Sequence, residues 1–344
     1  MKIDLVYLWV DGNDPAWRAK KDAAIKKAGG KVSKIAVAAE RYEDNDELKY
    51  SLRGAEKFAP WINNIFIVTD GQVPKWLNLT HPKIHVIDHS DIMPPEFLPC
   101  FNSAFIEMFL HKIPGLSEHF IYANDDMLFG KSVSPGFFFD KNKNPTVIGK
   151  AKKWADSIHK KGGGAIDVRF RKNTMFPRIL ANALACVYKF TGKKYKLTLS
   201  HAIEPMRKSH LKDIIDSNKD YFTGSCGTTF REEKNIQRCC FPMINHARGR
   251  ATIVYGSSFL GRRIKYSPFW PPLLIRFLMW LGGVVGLCRV NSCDPSKGGA
   301  ERVIRKTLRH KPELFCLNYI AKDKRKIAAD FLHKMFPEKS GFEK

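Results

Sequence analysis

The sequence predicts an α/β fold: a mostly parallel, twisted sheet with helices on both faces, followed by a basic helical lobe at the C-terminal end. Three observations carry this. Apolar runs of strand length occur at residues 3–10, 65–68, 84–87 and 120–123, and helical patterns separate them, which is the rhythm of strand–helix–strand units in a parallel sheet. The runs are continuous rather than alternating, as in buried strands. The chain has 344 residues and 44% hydrophobic content, enough for one large core or a core domain with a smaller second lobe.

The elements follow in order. Residues 3–10 are β-branched and aromatic and stop at Asp11-Gly12-Asn13-Asp14-Pro15, a dense turn signal. Leu48, Leu52, Ala55 and Phe58 recur at helical spacing, so a helix is expected over 46–58, capped by Asn45 or Asp46 and closed before Pro60. A helix over 102–112, closed by Pro114 and Gly115, precedes the strand at 120–123. Open parallel sheets bind ligands beyond the carboxyl ends of their strands, where Asp11, Asp14, Asp70 and the run Asn124-Asp125-Asp126 all fall.

Residues 130–164 turn Lys-, Gly- and Pro-rich, which predicts long loops or a β-rich insertion, and a helix is expected over 177–190. Residues 268–290 are the most apolar stretch, but Arg276, prolines and glycines interrupt it, so it is a poor membrane span. Arg262, Arg263, Lys265 and Arg289 flank it and Trp270 and Trp280 lie within it, which suits a membrane-interfacial segment and equally a core helix. Residues 301–344 read as helices with a charged end.

Lys and Arg total 58 against 34 Asp and Glu, a formal charge of +24. Such a surplus points to phosphates, polyanions or anionic lipid. No zinc finger, aromatic ribonucleoprotein motif or concentrated basic helix accompanies it, so nucleic acid is an unlikely partner. The eight cysteines sit at irregular positions and read as reduced structural thiols; a zinc site from Cys288, Cys293, His310 and Cys316 is not expected. Residues 1–10 lack the charged head and apolar middle of an export signal, so a cytoplasmic location is expected, and the sequon at Asn78 carries little weight.

Two acidic loops could carry chemistry. Asp125 and Asp126 close an apolar strand, where a carboxylate pair can hold a hard divalent ion against a diphosphate, though Asn-Asp-Asp is also a common turn. Asp11 and Asp14 flank Gly12, which allows close backbone approach to a nucleotide; a plain turn is the alternative. The charge-rich stretch Arg41, Glu43, Asp44, Asn45, Asp46, Glu47, Lys49 and Arg53 exceeds what helix capping requires.

These runs together resemble the Stealth family, which includes bacterial capsular polysaccharide phosphotransferases and the precursor of the animal N-acetylglucosamine-1-phosphotransferase. Asp4, Val6, Tyr7, Trp9 and the run from Val10 to Pro15 resemble the first family block. Residues 41–130 resemble the second, through Asp44-Asn45-Asp46-Glu47-Leu48-Lys49-Tyr50-Ser51-Leu52-Arg53, Thr69-Asp70-Gly71-Gln72-Val73-Pro74, Phe101-Asn102-Ser103 and Asn124-Asp125-Asp126. His201 with Pro205, and Phe230 with Arg231, resemble the third block and the arginine stretch after it. Cys316-Leu317-Asn318 resembles the last block, with Tyr319 where the family usually has Asp.

The resemblance implies a Rossmann-like, glycosyltransferase-A-like fold and attack by a sugar hydroxyl on the β-phosphorus of a UDP-sugar, releasing UMP. It implies Mg2+ or Mn2+ at Asp125 and Asp126, with His201 as general base titrating near its ordinary value, Arg231 on the transferring phosphate and Asp126 beside them. It places Asp11, Gly12, Asp14, Glu47, Arg53, Asn102 and Asn124 around the substrate. The expected organisation is 1–130 as the nucleotide-sugar half, 131–260 as the rest of the catalytic domain with the acceptor side, and 261–344 as the basic helical region. The expected partners are a lipid-linked or polymeric saccharide acceptor, capsule-assembly proteins and the anionic inner membrane surface. A glycosyltransferase releasing UDP and a noncatalytic basic binder are the competing readings.

Overall fold

A computed structural model describes residues 1–30, 32–151, 175–195, 197–259, 262–265, 290–293, 304, 309, 312–317 and 325–344. In chain order, β1 (Ile3–Leu8) leads to α1 (Pro15–Lys27), α2 (Lys34–Val37), α3 (Glu47–Phe58), β2 (Ile65–Thr69) and β3 (Ile84–Asp88). Next come α4 (His89–Ile92), α5 (Ser103–Ile106) with a 3-10 continuation (Glu107–Lys112), β4 (His119–Asn124), β5 (Met127–Phe129) and β6 (Thr146–Ala151). The second half holds α6 (Met175–Thr191), β7 (Leu197–Leu199), β8 (Glu204–Arg207), α7 (Lys208–Asp216), α8 (Lys219–Cys226) and α9 (Cys240–Ala247). It closes with β9 (Thr252–Phe259), β10 (Arg262–Lys265), β11 (Val290–Cys293), β12 (Leu314–Leu317) and α10 (Arg325–Met335).

The central sheet has the order β3-β2-β1-β4-β8. Its first four strands are parallel, with Leu5 opposite Ile65, Ile65 opposite Ile84 and Ile3 opposite His119, and β8 runs antiparallel on the edge. The chain steps outward from β1 to β3 and then returns to lay β4 on the other side of β1. That reversal opens a crevice at the carboxyl ends of β1 and β4.

Strand period two divides the core. Ile3, Leu5, Tyr7, Ile65 and Ile67 face α3, whose Leu48, Leu52 and Ala55 are buried against them. Val6, Phe66, Val68, Phe120 and Tyr122 face the other layer, built from the 3-10 segment, α6, α7 and α9. Each fully buried Leu, Ile or Phe contributes about 1.5–3 kcal/mol of transfer free energy. Helices therefore cover both faces, as the sequence predicts.

Three features differ from expectation. The expected helix over 102–112 winds as one α-turn that tightens into a 3-10 segment. Two smaller sheets exist beside the central one, β10-β9-β6-β7 and β11-β12-β5. The C-terminal region is not helical alone: β12 pairs antiparallel with β5, Leu314 opposite Phe129, and α10 packs Phe331, Leu332 and Met335 over Leu128 and Phe315. It thereby completes the N-terminal half, a pairing that local periodicity does not encode. The apolar stretch at 268–290 lies outside the described residues except for Val290, as do Cys288, His310 and Tyr319. Among the described residues no helix is long and apolar enough to cross a membrane.

Candidate active site

The carboxyl end of β4 turns sharply through Asp125 and Asp126 into β5. The Asp126 amide donates to Asp125 Oδ1 at 3.0 Å, and the Leu317 amide of β12 donates to the Asp126 carbonyl at 2.9 Å. The N-terminus of α3 brings Glu47 alongside; its carboxylate accepts from the Asn45 amide at 2.6 Å and from Asn45 Nδ2 at 3.0 Å. Asp44 sits with it, accepting from the Asp46 amide at 3.1 Å. Asp46, which precedes the helix, has φ 65, the left-handed region that an Asp tolerates better than most residues.

These carboxylates burden one another. Burial first, then the charges of Asp126, Glu47 and Asp44, pushes Asp125 well above the carboxylate range. Burial pushes Asp126 up to about 7, with Glu47 adding to it. Asp44 is likewise pushed up to about 7 by burial and by Glu47, Asp46 and Asp11. Asp126 Oδ1 is buried with no hydrogen-bond partner. Several carboxylates raised by mutual repulsion around an orphaned oxygen are what a bound divalent cation relieves.

A cationic layer lies against this acidic one. Arg238 is buried and donates to Glu107 Oε1 at 3.1 Å and Glu204 Oε2 at 3.2 Å, with its guanidinium 4.7 Å from the Tyr122 ring centre. Burial disfavours its charge, but Glu107 and Glu204 outweigh that and hold its pKa above the ordinary arginine value. The Tyr122 hydroxyl lies 3.0 Å from Glu107 Oε1 and 2.8 Å from Asn124 Oδ1, two acceptors that share its one proton. Arg238 thus ties β8 to the strand end on which the acidic pair stands. Arg231 approaches from the 226–235 loop, bound to Ser103 Oγ, with its Nε buried and unpartnered. Burial and the neighbouring Arg41 lower its pKa to about 10, which leaves it charged at neutral pH.

His201 joins the two layers. One ligand atom each from His201, Asp126 and Cys316 lies within 4.8 Å of the others. Burial, then Arg238 and Arg231, pulls His201 down to about 4; this corrects the expectation of an imidazole titrating near its ordinary value. Cys316 is pushed well above the thiol range by burial and by Asp126. Its thiol is hydrogen-bonded to Asp126.

Not every expected residue faces this crevice. Arg53 does not: its guanidinium is engaged by Glu343 and by the Phe336 carbonyl at 2.8 Å. The Asn102 side chain is fully buried, and its amide donates to the Cys226 carbonyl at 3.1 Å and to Asn235 Oδ1 at 3.0 Å, so it braces the loop that carries Arg231. Asp14 caps α1, accepting from the Ala16 and Trp17 amides. A Cβ on Gly12 would stand 2.5 Å from the Tyr42 carbonyl oxygen, so that glycine admits the chain segment leading to Asp44. Asp11 accepts from the Asn13 amide at 2.8 Å and adds charge to Asp44. Glu47, Asn124, Asp125, Asp126, His201 and Arg231 do converge. Arg238, Glu107, Glu204 and Cys316 were missed as site residues, because only long-range packing brings them there.

Known proteins resemble this chain. The model of Stealth protein CR1, conserved region 1, matches residues 1–29, and that of Stealth protein CR2, conserved region 2, matches residues 41–147. A capsular polysaccharide phosphotransferase of Haemophilus influenzae is 33% identical over 257 residues, spanning 73% of this chain and 67% of that protein. One of Actinobacillus pleuropneumoniae is 38% identical over 254 residues, 72% of this chain and 66% of that protein. An exopolysaccharide phosphotransferase of Streptomyces coelicolor is 55% identical over 141 residues, which span 41% of this chain and 23% of that protein. Among solved structures, the galactosyltransferase LgtC in complex with donor and acceptor sugar analogs aligns over 98% of this chain and 96% of that one, at 9% identity and TM-score 0.45.

Proposed function

The chain belongs to the Stealth family, and from that premise we propose that it moves a hexose- or N-acetylhexosamine-1-phosphate from a UDP-sugar to a sugar hydroxyl of a capsular or exopolysaccharide acceptor, releasing UMP. The observation that carries this reading is the juxtaposition at one strand end of a mutually repelling acidic cluster, Asp44, Glu47, Asp125 and Asp126, with the cations Arg231 and Arg238. A diphosphate bridged by a divalent ion needs both kinds of wall.

In this reading the acceptor oxygen attacks the β-phosphorus, the bond from that phosphorus to the bridging oxygen breaks, and the electron pair leaves with UMP. Asp125 and Asp126 would hold Mg2+ or Mn2+, which would supply charge neutralisation for the diphosphate when bound. Arg231, anchored on Ser103, meets the negative charge that spreads over the phosphoryl oxygens. His201 stays neutral through the working pH range, the form able to accept the acceptor's proton. A bound diphosphate would offset the part of that lowering due to Arg238 and Arg231, while the larger part, from burial, remains. Glu47 adds a further carboxylate beside the pair, and Asn124 and Asp11 would meet the nucleotide-sugar. The basic surplus suits an acceptor that is polymeric or lipid-linked at an anionic membrane face.

Purified protein incubated with Mg2+ or Mn2+, a panel of UDP-sugars and short capsule oligosaccharides tests this by the nucleotide released. Acceptor-dependent UMP supports phosphoryl transfer. UDP would replace it with sugar transfer at the anomeric carbon.

A further inference from the structure

Beside the crevice, one aromatic cluster gathers three cations from distant parts of the chain. Lys21 stands on α1, Arg41 ends the 3-10 turn Ala39–Arg41, and Arg231 follows Phe230. Trp17 packs on Tyr42 and Phe101 with ring centres 5.2 and 5.3 Å apart, and Phe101 stacks on Phe230 at 5.2 Å. The Tyr42 hydroxyl lies 3.2 Å from the Phe101 carbonyl oxygen, and the Phe101 amide donates to the Thr229 carbonyl at 2.7 Å, so residues 41 and 231 are held at the edges of one packed unit. Lys21 Nζ stands 4.8 Å from the Tyr42 ring centre and 5.6 Å from that of Trp17. The unit borders the acidic side of the crevice, because the Gly12 amide donates to the Tyr42 carbonyl at 2.6 Å.

Among the described residues no carboxylate pairs with Lys21, Arg41 or Arg231, and the acids nearby are turned elsewhere. Glu107, which favours the charge of Arg231, is bound to Arg238 at 3.1 Å, Glu43 is paired with Arg325, and Asp70 with Lys20 at 2.9 Å. Asp14 accepts from the Ala16 and Trp17 amides and from Gln72. Asp22 favours the charge of Lys21, but Arg18 opposes it. Lys21 is nearly buried, and a buried ammonium without an opposite charge is costly; an aromatic face returns only about 0.5–2 kcal/mol. Burial aside, Arg41 is the strongest influence on Arg231, whose Nε has no partner. Cations held against one another in this way are relieved by an anion, and guanidinium forks match the oxygens of a phosphate. In the reaction proposed above the donor diphosphate lies with the acidic cluster, whereas Lys21 and Arg41 lie beyond Arg231. Each such transfer leaves a phosphodiester in its product, so a chain extended once carries that group behind its next reacting hydroxyl.

We propose that Lys21 and Arg41 extend the cationic wall of Arg231 into a subsite for a phosphodiester of the acceptor chain, so that a chain already extended is the preferred acceptor; that the diester belongs to the acceptor rests on the function proposed above. The whole protein is titrated with two oligosaccharides of the same sugars, one joined by phosphodiesters and one by glycosidic bonds, and separately with UDP and Mn2+. The parent protein should bind the diester form about tenfold tighter or more, and that preference should fall about tenfold in Arg41→Gln and in Lys21→Met, with UDP affinity moved by less than about twofold. Arg41 is exposed, so Arg41→Gln removes the charge without opening the core. Equal affinity for the two oligosaccharides, binding of neither, or a preference unchanged in both variants overturns the subsite. UDP affinity lost in the variants while the diester preference persists also overturns it and gives the two cations to the donor. Nucleotide release by the parent protein is read separately. Diester preference without any nucleotide released leaves the subsite standing and removes the proposed reaction; acceptor-dependent UMP with the two oligosaccharides bound alike does the reverse.

Discussion

Arg53 and Glu343, 290 positions apart in the chain, meet as a two-point ion pair at 2.7 Å and 2.7 Å, with side chains 10% and 3% exposed. The last residues of the chain are thereby latched onto α3, the helix that presents Glu47 to the crevice. The Asn78 amide reinforces the latch by donating to the Phe342 carbonyl at 2.8 Å, as does the Lys344 amide to the Trp76 carbonyl at 2.9 Å. Removing one partner strands the other charge, so Arg53→Ala or Glu343→Ala should each cost about 3 kcal/mol in urea unfolding, whereas Arg53→Met with Glu343→Leu should recover most of the loss. Additive losses in the double variant would show that the latch is not a pair.

The buried cation Arg238 balances two glutamates of unequal character. Burial pushes Glu204 up to about 7 even against Arg238, and its Oε1 has no partner. Glu204→Gln should therefore change stability at neutral pH by less than about 1 kcal/mol, while Arg238→Met, which leaves buried acids uncompensated, should cost about 3–5 kcal/mol. Denaturant midpoints of the two variants decide it; equal losses would contradict the asymmetry.

Divalent cation should stabilise the fold. The acidic cluster is held above the carboxylate range by burial and mutual repulsion, and a cation that binds only the folded chain adds about 2.7 kcal/mol at a hundredfold excess over Kd. Thermal melting with and without Mn2+ should show an upward shift that Asp126→Asn removes. An identical shift in that variant would move the cation elsewhere.

Two histidines distant from the acidic cluster should each contribute a loss of stability in acid. Burial holds His111 and His210 down to about 4, against an ordinary value of 6.5. Between those values each of these histidines binds more proton in the unfolded chain than in the folded one, so its contribution is complete above pH 6.5 and is lost as pH drops toward 4, against an opposite contribution from the raised acids Asp44, Asp126 and Glu204. The slope is about 1.4 kcal/mol per pH unit for each histidine while its folded form stays neutral. Urea midpoints across that range should flatten in His111→Gln and His210→Gln; an unchanged slope would mean that neither histidine is the cause.

Gly12→Ala should act at a distance. The added methyl would meet the Tyr42 carbonyl, which also accepts from the Gly12 amide at 2.6 Å, and overpacking of this kind costs about 1–3 kcal/mol. Because Tyr42 precedes Asp44 by two positions, cation affinity measured by Mn2+ titration should fall as well. A stability loss with unaltered Mn2+ affinity would confine Gly12 to packing.

Much of the central sheet was legible in the sequence, because parallel strands buried on both faces are continuous apolar runs and amphipathic helices repeat at a fixed period. β1 to β4, α3 and α6 fall within a few residues of the positions that periodicity predicts. Asp125 and Asp126 were legible as a candidate pair for the same reason, since a strand end followed by two acids is a local signal. Asn102 and Arg53 were not: a buried amide bracing a loop and a buried guanidinium holding a tail carry the same one-dimensional signature as substrate ligands. Their partners, Asn235 and Glu343, lie far along the chain.

The sequence by itself determined that the acids would gather at the carboxyl edge of a parallel sheet, because strand direction and alternation with helices leave no other place for those loops. Tertiary structure alone decided what surrounds them. Closure of β12 on β5 sets Cys316 against Asp126, and β8 on β4 sets Glu204 opposite Tyr122, where it receives Arg238. Burial in that assembled interior then lowers His201 and raises Asp126, a shift that exists only once water has been excluded by residues remote in sequence.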